Sequence, residues 1–298
     1  MGMRKSILGL GIGLTLVSSA FGDGGVAFLK LGVGARSGAL GHAMSSIVDD
    51  ASAAYWNPAR LTDLKRPQIL LNHNEWFLET NYEYAAFALP AFKGGVAVST
   101  MLTSVAGIEQ RSTTPTAEPL GTFGANDVMF ALSYGRFISH GISVGLTAKY
   151  LYQKIYVSSS TGYAFDFGLA YRPEARIVAS GVVQNVGSME AFAREDISVP
   201  VTIRLGLSYE LYSTSAWGVV TALELVKTTD LDERFHAGSE VVFGRYFVLR
   251  AGYQTGDSTR SFSGGFGLIF SRYHLDYAFI PFEADFGSGH QFSIALDL

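Results

Sequence analysis

Catalysis or metal binding in this chain would have to draw on a sparse set of residues. The six histidines, His42, His73, His140, His236, His274 and His290, are scattered along 298 residues, and none stands at a metal-ligand spacing such as H-E-x-x-H. Asp49-Asp50 could offer oxygens to calcium, but a carboxylate pair without further ligands reads as a turn or helix-end feature. A serine hydrolase needs its serine and histidine to converge, and no motif marks such a pair. Gly9-x-Gly11-x-Gly13 lies in an apolar run with no strand before it, so it is not a phosphate-binding loop. These residues point away from an enzyme and imply no metal or cofactor.

What the chain does concentrate is charge set singly into apolar surroundings: Lys149, Asp166, Arg204, Glu210, Glu224, Glu240, Arg250 and Asp276, with His236 among them. The segments that carry these residues alternate. Val201-Thr-Ile203-Arg204-Leu205-Gly-Leu207-Ser-Tyr209-Glu210 puts Val, Ile, Leu, Leu and Tyr on one face and Thr, Arg, Gly, Ser and Glu on the other, because successive side chains of a strand point to opposite sides. Residues 142–150, 163–171 and 291–298 repeat the pattern. Mean hydropathy is high at +0.22, with 34 Gly, 21 Phe and 15 Tyr. Yet past the N-terminal run no stretch reaches the roughly 18 uninterrupted apolar residues of a membrane helix. Alternating strands of about ten residues, with Tyr82, Tyr134, Tyr152, Tyr171, Trp217 and Tyr253 near their ends, are the pattern of a transmembrane β-barrel. A soluble sandwich shares the period, with its apolar face turned inward.

Connection lengths separate the two. Strands read near 68–73, 82–90, 95–103, 127–138, 142–153, 163–172, 176–184, 201–211, 216–226, 235–243, 246–254, 262–270, 273–280 and 290–298. That is about fourteen, an even number as single-chain barrels require. The gaps alternate between long or polar (72–81, 104–126, 154–162, 185–200, 227–234, 255–261, 281–289) and tight (91–94, 139–141, 173–175, 212–215, 244–245, 271–272). Long outer loops and short periplasmic turns do this in an up-and-down antiparallel barrel. The expectation is an all-β transmembrane barrel with both termini periplasmic. The charges then face the lumen, where both signs must pair to survive burial; a polar conduction path is the alternative. A single-sign lining, which would argue for ion selectivity, is absent.

Residues 1–22 read as a cleaved export signal. Arg4-Lys5 precedes the apolar run 7–17, which is too short to cross a bilayer as a helix, and Ala20-Phe21-Gly22 is a small-x-small cleavage site before Asp23. There is no cysteine, so neither disulfides nor a lipidated cysteine anchor the chain. The net charge is −4, and losing Arg4 and Lys5 leaves 20 basic against 26 acidic residues. No basic stripe suggests nucleic acid.

Residues 23–67 do not read as strands. Leu31-Gly-Val-Gly34-Ala-Arg36-Ser-Gly-Ala-Leu40-Gly41 is small and glycine-rich, and residues 48–61 read as a short helix followed by a turn, the helix ending before Pro58, which disfavours helical backbone at Asn57. So small a unit cannot stand alone. It must pack on the barrel mouth as a hatch, with residues 68–298 as the barrel. Asn57 is expected to bond local backbone, Pro58 to set the exit direction, and Tyr55 and Trp56 to seat the unit. The pair Asp49-Asp50 should face lumen cations such as Arg204 or Arg250.

The blocks Gly34-Ala-Arg36-x-x-x-Leu40-Gly41-x-Ala43, Asp49-Asp50-Ala51 and Tyr55-Trp56-Asn57-Pro58-Ala59-x-Leu61 resemble the N-termini of the PorV/PorQ outer-membrane proteins associated with type IX secretion, and more distantly the FadL-type transport barrels. The likeness continues at Gln184-Asn185-Val186-Gly187, Arg250-Ala-Gly252-Tyr253, Asp276-Tyr277-Ala278-Phe279 and His290-Gln-Phe292-Ser293. Arg60 stands where those proteins usually carry glycine. The resemblance implies a fourteen-stranded outer-membrane barrel with an N-terminal hatch. It implies a secretion or surface-anchoring component that contacts exported proteins or type IX components. The alternative is a FadL-like channel for hydrophobic small molecules, and a mainly structural barrel is a third reading. Outer-membrane lipid is a partner in each.

Overall fold

The computed structural model describes residues 25–75, 81–111, 117–191, 197–229, 231–257, 259–283 and 287–298; residues 1–22, read above as an export signal, lie outside them. Fourteen strands follow one another: β1 Gln68–Glu75, β2 Asn81–Ala91, β3 Gly94–Gln110, β4 Gly121–Ser139, β5 Ile142–Ile155, β6 Ser158–Glu174, β7 Ile177–Met189, β8 Thr202–Ser213, β9 Trp217–Thr228, β10 Arg234–Phe243, β11 Phe247–Gln254, β12 Phe262–Phe270, β13 Tyr273–Pro281 and β14 Ser288–Asp297. Each pairs antiparallel with its neighbours and β14 closes on β1, giving a closed barrel without a free edge. Closure is the solution lipid demands, since no water is present there to satisfy an open edge.

The faces are those the alternation dictates. Leu205, Leu207 and Tyr209 of β8 point outward, while Arg204, Gly206 and Ser208 point into the lumen. An outward ring of exposed Leu, Phe, Ile, Val and Tyr runs round the wall, a surface that only lipid would cover. Leu205, 57% exposed, marks that belt; Leu205→Arg is expected to lower folding stability in lipid vesicles by about 2–4 kcal/mol if it sits near the midplane, measured by denaturant titration against Leu205→Ala. Ser208 leaves no open lumen space: it is 5% exposed and its hydroxyl donates to the Ser46 carbonyl at 3.2 Å.

One expected connection and one expected interfacial aromatic need correction. The segment 154–162 is no long loop: β5 and β6 continue as a hairpin closed by Tyr156-Val157, with Tyr156 at φ 54°. Above the lipid a strand needs no apolar face, so the ladder persists where the hydrophobic signal stops. The same cause lengthens β3 and β4 to 17 and 19 residues. Tyr82, read as an interfacial aromatic, is fully buried inside the barrel.

Residues 25–67 lie within the lumen as short pieces: 3-10 turns Ala27–Lys30 and Pro58–Asp63, with helices α1 Ala35–Ala39 and α2 Ala53–Trp56 between them. α2 stops at Trp56 and Asn57 is extended at φ −163°, as Pro58 requires. Where this segment starts, Gly25 lies against Ile197 and Ser198 of the β7–β8 connection, at the long-connection end; β14 finishes at the short-turn end, where Gln68 pairs with Asp297. The N-terminus itself is outside the described residues, but the first described ones are not on the side expected for it.

Candidate functional site: the filled lumen

The inner segment rests on the wall through glycine. Gly95, Gly135, Gly145 and Gly168 pair laterally across β3–β6, and a Cβ on Gly145 would fall 2.3 Å from Ala59 N and Pro58 C, on Gly168 2.3 Å from Asn57 Oδ1. Backbone thus lies directly on backbone. Across the barrel Gly252 does the same for Gly41 N, where a Cβ would come within 2.0 Å. Gly34 and Gly41 themselves take φ 90° and 60°, conformations that favour glycine.

Asn57 ties the segment to the wall. It is buried, its Oδ1 accepts from Ala59 N at 3.1 Å, and its Nδ2 donates to the carbonyls of Ser45 at 2.9 Å and Leu169 of β6 at 3.3 Å. The local bond is the expected one; the reach to β6 is further. Tyr55 donates to the Leu29 carbonyl and Trp56 Nε1 to the Val33 carbonyl, so both aromatics brace the segment as well as filling space. Burial pushes the Tyr55 phenol up to about 12. Trp56 stacks on His42 at 5.6 Å, whose imidazole burial, then Arg260, holds well below its usual pKa.

The lumen charges form two buried networks. In the first, Lys149 Nζ lies 2.7 Å from Asp166, and Asp166 also accepts from Asn185 N. Beside it Arg204 donates to Glu224 at 2.7 Å and to Gln184 at 2.8 Å, while Glu224 accepts from Ser45 N and Oγ at 2.8 and 2.6 Å. The guanidinium of Arg204 covers the Trp56 ring at 4.8 Å. In the second, Glu240 takes Arg250 at 2.6 Å and Arg36 at 3.0 Å, and Arg250 continues to Asp276 at 2.6 Å. Burial opposes the charge of Arg36, but Glu240, Asp49 and Asp50 outweigh it and keep its pKa above the ordinary value.

Several residues differ from their expected places. Asp49 and Asp50 face Arg36 of their own segment, at 2.5 and 3.3 Å, rather than Arg204 or Arg250, because those two are already engaged by wall carboxylates. Glu210 makes no ion pair among the described residues; it sits at a register shift of β8 against β9 near the short-turn end. His236 is buried with neither ring nitrogen bonded. Arg60 is accommodated in a buried place, since its Nε donates to the Val48 carbonyl and its Nη1 meets Asp63 at 2.6 Å.

Sequence reasoning missed that one sector of the lumen is apolar. Tyr84, Met101, Met129 and Leu151 pair laterally in a row across β2–β5, and all are essentially buried. They form one cluster with Val26, Phe28, Leu29, Tyr55 and Trp56 of the inner segment. Each occupies the inward phase of its strand, which alternation shows, but that the four meet in one row follows only from the register. A second unanticipated feature is a lapse in the wall. The β7–β8 ladder ends at Gln184–Thr202, while β7 stays paired to β6 as far as Met189. Beyond the end of the ladder Asn185 Nδ2 reaches the Pro200 carbonyl at 3.2 Å.

No protein-family model matches, and no curated protein does. Solved structures do: the CymD monoaromatic hydrocarbon channel superposes with a TM-score of 0.63 at 14% identity, covering 90% of this chain and 98% of that one. The chain has the fold of the hydrocarbon channels. The Pseudomonas putida toluene transporter TodX gives 0.62 at 11% identity, covering 89% and 96%, and a Pseudomonas aeruginosa FadL homologue gives 0.54 at 10%, covering 89% and 98%. At these identities the likeness is one of fold. It supports the FadL-like side of the resemblance; nothing in it supports PorV/PorQ membership or type IX partners.

Proposed function

We propose that the protein is an outer-membrane channel for hydrophobic small molecules, in which residues 23–67 are a hatch seated inside a barrel of residues 68–298. The observation that carries this reading is the apolar row Tyr84–Met101–Met129–Leu151. Methionine packs adaptably against varied apolar shapes, and the row is covered by hatch residues held through non-covalent contacts. Withdrawal of residues 25–33 would bare an apolar surface inside an otherwise polar lumen. The CymD and TodX descriptions, a monoaromatic hydrocarbon channel and a toluene transporter, support apolar solutes of that size. The unpaired stretch between β7 and β8 is the natural access point, because Val199 and Ile197 there join the cluster that holds the first hatch residues.

The test exploits the absence of cysteine. Cells producing the protein should take up N-phenylnaphthylamine, an apolar dye, faster than cells without it. Labelling Ser188→Cys, an exposed position where β7 pairs with β6 but no longer with β8, with a bulky maleimide should return uptake to background. If the wild type confers no uptake the channel reading fails; if labelling leaves uptake unchanged, the access point lies elsewhere.

A further inference from the structure

The outside of the wall carries a groove that transport does not use. It has a volume of about 730 Å³ and is lined by Tyr134, Arg136, Phe137, Val144, Leu146 and Phe167, with Gly145 and Gly168 at its floor. The two glycines are members of the lateral row that supports Pro58 and Ala59 from within. Lacking side chains on either face, they thin the wall to a single layer of backbone, and the flanking aromatic and branched residues rise round the hollow so formed.

Arg136 stands in this groove three residues before the end of β4, at the short-turn end. It is exposed on the lipid side, and its guanidinium has no hydrogen bond or ion pair among the described residues. Other cations share this end of the barrel: Lys93, Arg176, Arg245 and Arg272 occupy four of the short turns, with Glu174 beside Arg176 at the β6–β7 turn. Lys93 adjoins Gly94, the residue paired with Arg136. An unpaired guanidinium above an apolar trough matches a ligand with an anionic head and an apolar tail, since guanidinium forms charge-assisted, bidentate bonds with phosphate. A rim cation alone would meet headgroups in general; the groove is what selects one molecule.

We propose that this groove binds one glycerophospholipid of the surrounding membrane, its phosphate on Arg136 and an acyl chain laid along Val144, Leu146 and Phe167 over Gly145 and Gly168. Bound lipid and seated hatch would then share a wall one backbone thick.

The full-length protein in detergent, incubated with dimyristoylphosphatidylglycerol, tests this by native mass spectrometry. One lipid should remain on the barrel under activation that strips the micelle. Arg136→Gln should weaken retention by about tenfold or more, the worth of a hydrogen bond to a charged group, and Val144→Trp, which fills the trough from the lipid side, should abolish it. Arg245→Gln removes a rim cation away from the groove and should retain lipid as the wild type does. Excess inorganic phosphate should not displace the lipid, because it lacks the chain. Heat-modifiable gel migration checks that each variant is assembled. Absence of retained lipid on the wild type, equal loss in Arg245→Gln, or displacement by phosphate alone would overturn the proposal.

Discussion

Glu224→Gln is expected to release the N-terminal segment from the lumen while leaving the barrel assembled. Glu224 is nearly inaccessible to solvent and serves three donors: Arg204 Nη1, Ser45 N and Ser45 Oγ. An amide in its place carries no charge, so Arg204 stays ionised and uncompensated between the wall and Trp56. Breaking a buried pair from one side costs about 3–5 kcal/mol, and the cheapest relief is withdrawal of the segment, which lets water reach Arg204. Limited proteolysis should then cut within residues 25–66, with the barrel core intact. Adding Arg204→Met should restore much of the protection, because no lone ion remains. Equal protection in Glu224→Gln and wild type would show that this network does not hold the segment.

The second large effect is steric. Gly145→Val places a Cβ 2.3 Å from the backbone of Pro58 and Ala59, atoms that cannot yield as a flexible side chain can. Overpacking of this kind costs about 1–3 kcal/mol where side chains can adjust and more against backbone. The strand itself accepts valine readily, so the strain falls on the segment inside. Gly181→Val is the control: its Cβ would point outward with Leu205 Cδ2 the nearest atom at 3.7 Å. Cells carrying Gly145→Val should become sensitive to large polar antibiotics, and cells carrying Gly181→Val should not. Resistance in both would mean that the segment seats without the glycine row.

The strand order, closure and facing were legible because lipid imposes alternation along each membrane-crossing stretch, as at Leu205 against Arg204. The signal ended where lipid ends, which is why the upper part of β5 and β6 around Ser158–Ser160 read as a loop. Inside the barrel, alternation shows which residues point inward but not which meet. Asp49 and Asp50 were correctly placed near cations, yet their partner proved to be Arg36, because the wall arginines had closer carboxylates on neighbouring strands. The glycine row is invisible to period counting: Gly95, Gly135, Gly145 and Gly168 become one feature only once register aligns four strands. Tyr84, Met101, Met129 and Leu151 were missed for the same reason.

If the barrel is closed at rest by its own N-terminal segment, single-channel recording of the purified protein in planar bilayers will show it. The wild type should show a nearly closed baseline without large steady openings, and Glu224→Gln should add openings of the size of a fourteen-stranded pore. A wild type that conducts as a steadily open pore, or a Glu224→Gln variant that is assembled, loses its N-terminal segment to protease and still does not conduct, would contradict it.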